Sequence, residues 1–66
     1  AQFADRYGLT EREREVLVPL VRGRSASNIA VRLSMSTETA RAHIRHIYQK
    51  TDIHSREELM DIVDGM

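Results

Sequence analysis

The 66-residue chain has no cysteine, one proline, three glycines and three aromatic residues, and its formal charges cancel. Without cysteine it forms no disulfide and no zinc–thiolate site. No apolar run approaches the roughly 20 residues of a membrane span, and no signal peptide is visible. The glycines form no phosphate-cradling loop, and no nucleophile, base and orienting group stand together, so neither catalysis nor a cofactor is expected. A domain this small has room for no obvious pocket, and folds on helix packing and capping worth about 3–5 kcal/mol. The chain opens on Ala1-Gln2-Phe3 rather than Met, which predicts an excised piece of a larger protein. The expected location is the cytoplasm, with a parent chain that could be membrane-anchored.

The zero net charge dissolves once it is divided along the chain. Residues 22–50 carry Arg22, Arg24, Arg32, Arg41, Arg45 and Lys50 against Glu38 alone, while residues 51–66 carry Arg56 against Asp52, Glu57, Glu58, Asp61 and Asp64. Residues 1–21 are close to balance. A basic middle between acidic flanks is the footprint of one face turned to nucleic acid and another turned away.

Hydrophobic period and capping residues predict an all-α fold, a four-helix compact domain with helices over about 10–22, 25–33, 36–50 and 55–65. Thr10 with Glu13 reads as a capping box, and Glu11 and Glu13 suit the positive end of the helix dipole. Val16, Leu17, Leu20 and Val21 form the first apolar stripe. Pro19 inside it predicts a kink, or irregularity after Val18, and Gly23 a left-handed stop. Ser25 caps a short second helix burying Ile29, Ala30 and Leu33. Ser34 and Met35 make the turn, and Met35 with Ala40 is placed as a hydrophobic staple behind the cap Ser36. Ser55 and Glu58 read as another capping box, ahead of a stripe of Leu59, Ile62, Val63 and Met66 with Met60 at its flank. Residues 1–8 show no period and read as a lead-in from a missing amino-terminal part, with Phe3 and Tyr7 as candidate packing residues; residues 9–66 read as the domain.

A short helix, a tight turn and a longer basic helix make a helix-turn-helix unit. On the long helix Ala40, Ile44 and Ile47 form the buried stripe, while Arg41, Ala42, Arg45 and Gln49 project elsewhere with His46 beside them. That second face holds bidentate donors, one small gap and no bulky apolar group. It suits base edges in a major groove about 12 Å wide. Fifteen residues give a rod of roughly 22 Å, enough to lie along a few base pairs. His43 and His46 are three apart with His54 nearby, but no carboxylate or thiol completes a convincing metal-binding set, so His43 is expected as a partly buried packing residue and no metal is expected.

Blocks spread over nearly the whole chain resemble the LuxR-type (GerE-like) helix-turn-helix domain. They are Leu9-Thr10-Glu11-Arg12-Glu13-Arg14-Glu15-Val16-Leu17, Gly23-Arg24-Ser25, Ile29-Ala30-Val31-Arg32-Leu33 and Ser36-Thr37-Glu38-Thr39-Ala40-Arg41-Ala42-His43-Ile44, then Ile47, Lys50 and Ser55-Arg56. The resemblance implies a DNA-binding output domain of a bacterial transcription regulator, following a sensory or receiver domain and binding paired half-sites as a homodimer, with RNA polymerase a further candidate partner. Carried over by position, it places base reading on Arg41, Ala42 and Arg45. Phosphate contacts fall among Ser25, Ser27, Thr37, Thr39, His46, Lys50 and Arg56, and dimerisation around Met60 and Val63. The chain departs from the family pattern in three places. Ser25-Ala26-Ser27-Asn28 replaces Ser-Asn-x-Glu, Ala40 replaces a commoner valine, and Thr51 a usual leucine. These predict weaker capping of helix two and looser packing near helix three. Two rival readings are a sigma region-four-like promoter-binding module and a helical protein-interaction module acting through acidic helix four.

Overall fold

A computed structural model describes residues 6–64, with Val63 described by its backbone. Phe3 and Met66, expected to pack, lie outside the described residues. Among the described residues four complete α-helices follow one another: α1 Glu11–Val21, α2 Ala26–Arg32, α3 Thr37–Thr51 and α4 Arg56–Asp64. The all-α, four-helix expectation holds, and each predicted boundary falls within about one residue of its helix, as helix ends ordinarily do. Arg6 and Tyr7 are also helical, where no helix was predicted, and the Arg6 guanidinium lies 5.7 Å from the centroid of the Tyr7 ring.

Each start is a side-chain cap. The Thr10 hydroxyl accepts from the Glu13 amide and the Glu13 carboxylate accepts from the Thr10 amide, completing the capping box. Ser25, Ser36 and Ser55 accept from the amides of Asn28, Thr39 and Glu58. The Ser25 cap therefore forms despite the altered sequence behind it, and Asn28 is not idle: its side-chain oxygen accepts from Arg32 Nε at 2.8 Å.

Three helix ends share one device. After α1, Gly23 at φ +85° sends Arg24 N–H back to the Pro19 carbonyl and its own N–H to Leu20. After α2, Ser34 at φ +55° does the same, with Met35 N–H on the Ala30 carbonyl; after α3, Asp52 at φ +55° places Ile53 N–H on Tyr48. These are left-handed stops of the Schellman type, and only the first uses glycine. Pro19 does not end α1: the helix runs through it to Val21. It lies so near the end that its own carbonyl serves the stop, accepting from Arg22 and Arg24.

The core gathers Val16, Leu17 and Leu20 from α1, Ile29 and Ala30 from α2, Ala40 and Ile47 from α3, and Leu59 from α4. Leu9 and Ile53, both in connections, are buried with them. Sequence period missed Ile53 because a turn residue belongs to no stripe. Met35, Leu33, Ile44 and Ile62 pack partly buried against this core. Thr51 is buried too, its hydroxyl donating to the Ile47 carbonyl at 2.7 Å, so the polar atom in leucine's usual place is satisfied. Packing α3 against both α1 and α2 leaves its remaining face to solvent.

Candidate nucleic-acid interface

The recognition face is what the buried stripe leaves outside. With Ala40 and Ile47 fully buried, Arg41 and Arg45 fall one turn apart on the exposed side, and Ala42 lies half-buried at its edge. Gln49 and His46 are exposed along the same helix. Among the described residues neither guanidinium has an ion-pair partner, so both keep their full complement of donors.

Around this face the helix caps offer hydroxyls with a proton to spare. The Ser36 hydroxyl donates to Thr39 Oγ1 at 2.8 Å, so the Thr39 proton remains available to an outside acceptor. Ser25 uses its oxygen to accept from Asn28 N–H and likewise keeps its own proton. Ser27 is exposed, while Thr37 and Arg56 are half-buried. Phosphate oxygens accept only, so such hydroxyls match them chemically.

Lys50 is placed differently from a simple phosphate contact. Its ammonium lies 2.8 Å from Glu13 Oε1 and reaches the Gly8 carbonyl at 3.4 Å. Glu13 is only 3% exposed, and Oε1 also accepts the Thr10 amide. Burial pushes this carboxyl up, but the Lys50 and Thr10 hydrogen bonds and the Lys50 charge together hold it below the ordinary glutamate range. Lys50 thus ties the end of α3 to the start of α1. The capping box expected at Glu13 is present, but a capping box says nothing about what stands over it. Its only signal in the sequence was its place on the edge of the Val16–Leu20 stripe.

His46 Nδ1 lies 3.7 Å from Glu13 Oε2, on the rim of the same contact. His43 is half-buried as a packing residue, and its Nδ1 is buried without a hydrogen-bond partner. The carboxylate that the sequence did not supply beside these histidines arrives from α1: ligand atoms of Glu13, His43 and His46 lie within 4.8 Å of one another. His54 is elsewhere, exposed beside Asp52.

On α4 the exposed residues Glu57, Glu58, Asp61 and Asp64 form an acidic surface, with Met60 half-buried at its flank. No described helix is long and apolar enough to cross a membrane.

Residues 7–63 match the family described as bacterial regulatory proteins, luxR family. The nitrate/nitrite response regulator protein homolog of Haemophilus influenzae is 44% identical over 48 residues, covering 73% of this chain and 23% of that protein. The nitrate/nitrite response regulator protein NarP of Escherichia coli is 44% identical over 48 residues, covering 73% of this chain and 22% of its own. The oxygen regulatory protein NreC of Staphylococcus carnosus is 38% identical over 53 residues, covering 80% of this chain and 24% of that protein. The chain therefore spans less than a quarter of the length of these relatives. No solved structure matches it significantly.

Proposed function

The chain belongs to the luxR family of bacterial regulatory proteins, and from that membership we propose that it is the sequence-specific double-stranded-DNA-binding output domain of a transcription regulator. Its work is recognition. Helix α3 enters the major groove; Arg41 and Arg45 read base edges, and Ala42 leaves room for a base between them. Ser25, Ser27, Thr37, Thr39, His46 and Arg56 fix the register on phosphates. Lys50 serves the fold first, through Glu13, and adds its residual field to the phosphate-facing side.

The observation that carries this reading is the pair of exposed, unpaired arginines one turn apart on a helix whose other face is seated on the core through Ala40 and Ile47. An arginine presents a planar fork that matches the two acceptors of guanine, each such pair contributing about 1–3 kcal/mol of discrimination.

We further propose that two copies pair on DNA through α4 around Met60 and Val63. Exposed Glu57, Glu58 and Asp61 would be repelled by phosphate, so this helix faces away from the duplex and is free to meet protein. In the parent protein a receiver or sensory domain precedes this one, as the response-regulator names of the relatives suggest, with RNA polymerase a further partner and the cytoplasm its place.

Amide shifts of the ¹⁵N-labelled domain, followed during titration with a short duplex at several salt concentrations, test this. Shifts are expected along α3 and the caps of α2 and α3. Log K is expected to fall as log salt rises, by a slope of about −0.9 for each phosphate that an arginine or lysine neutralises. An intact fold with no shifts at low salt, or shifts confined to α4, would overturn it in favour of a protein-binding module.

A further inference from the structure

We propose that Glu13, His43 and His46 form a binding site for one divalent transition-metal ion of the zinc class, clamping α3 to α1. The fold assembles it. His43 and His46, three apart on α3, share one side of that helix, and α1 brings Glu13 against them with all three ligand atoms within 4.8 Å of one another.

The two oxygens of Glu13 are divided in their tasks. Oε1 accepts the Thr10 amide at 2.9 Å and the Lys50 ammonium at 2.8 Å. Oε2 is turned toward His46 Nδ1, but at 3.7 Å the two lie beyond hydrogen-bond reach. On the other side His43 Nδ1 is buried and has no partner, an arrangement that costs free energy in any folded protein. Histidine nitrogens and a carboxylate oxygen gathered within 4.8 Å, with few partners of their own, are donors that a cation can satisfy together.

The donor set selects the ion. Two imidazoles and one carboxylate, with a solvent-filled fourth position, are the ligands of open zinc sites. Magnesium and calcium demand mostly oxygen, whereas imidazole with a carboxylate suits the later divalent transition metals, zinc among them. Zinc–ligand distances of roughly 2.0–2.2 Å place tetrahedral ligands about 3.3 Å apart, so the cluster must close modestly. The His46 side chain, 48% exposed, is free to turn inward and leaves room for water as the fourth ligand. Lys50 stands on the opposite oxygen, and its charge opposes a second cation. Metal entry therefore loosens Lys50 from Glu13 and withdraws His46 from the DNA-facing rim.

Zinc titrated by calorimetry into the chelator-stripped domain, with cobalt as an absorption probe of coordination, tests the site. One ion per chain is expected. Affinity should fall by about tenfold or more in His46→Ala and in His43→Gln, with His54→Ala unchanged, and zinc should raise Tm in the wild type but not in His46→Ala. His46 is exposed, so its variant folds, and ¹⁵N spectra verify this for both. No saturable binding by the folded wild type would overturn the site, as would undiminished binding by His46→Ala or a loss confined to His54→Ala.

Discussion

Ser34 and Asp52 both hold φ near +55°, where a Cβ crowds the backbone and glycine is the unstrained choice. Gly23 performs the same stop after α1 at no such cost. Ser34→Gly is therefore expected to stabilise the domain by about 0.5–1 kcal/mol, visible as a higher urea midpoint with unchanged slope. DNA affinity should stay as it was; an unchanged or lower midpoint would show that the serine is already relieved by other contacts. The Glu13–Lys50 pair is the opposite kind of residue effect. Removing one partner leaves the other uncompensated. Since Lys50 is about one-third exposed, Lys50→Met should cost about 2 kcal/mol, a large share of what a domain this small has. The Glu13 carboxyl sits below its ordinary value of 4.5 in the folded state, so its contribution is full above that value and disappears as pH falls through the folded pKa. Acid titration of stability in the presence of chelator should show this loss in the wild type and a smaller one in Glu13→Gln.

At the scale of the element, α3 does two jobs that its sequence separates cleanly. Ala40 and Ile47 seat it, and Arg41 and Arg45 face outward. Arg45→Ala removes nothing from the core, so its thermal midpoint should stay near the wild type's. Its effect belongs to DNA: a loss of about 1–3 kcal/mol on the preferred operator, with relaxed choice at one base pair and little loss on random duplex. Competition binding against single-base operator variants reads this directly, and an equal loss on every sequence would assign Arg45 to phosphate instead. Helix α1 shows how placement changes a rule. Proline interrupts a helix where it deletes a bond and crowds the preceding turn. At Pro19 the helix is about to end, and the residue's carbonyl is put to use in stopping it. Helix α2 is held partly from outside, the carbonyl of its C-cap Leu33 accepting from Arg12 Nη2 on α1 at 2.8 Å. Nothing in the local sequence of α2 announces that bond.

For the whole molecule, the described residues form a body with a Cα radius of gyration of 10.8 Å, in which a basic helix face and an acidic helix surface coexist without net charge. Overall neutrality was therefore uninformative, whereas the order of charges along the chain was not. Sequence alone determined the helices, because caps such as Thr10 and Ser36 and stripes such as Val16, Leu17 and Leu20 act within a few residues of themselves. It determined the family as well, through motifs that are local in the same way, and the candidate reading face, since burying one stripe of α3 dictates what the other presents. Tertiary structure decided whatever depends on residues distant in the chain. It buried the capping Glu13 beneath Lys50, brought its carboxylate beside two histidines, and buried Leu9 and Ile53 from connections with no period. The reason is that a side chain's partners across a core are set by how helices dock, and docking is a property of the whole packed set rather than of any one segment.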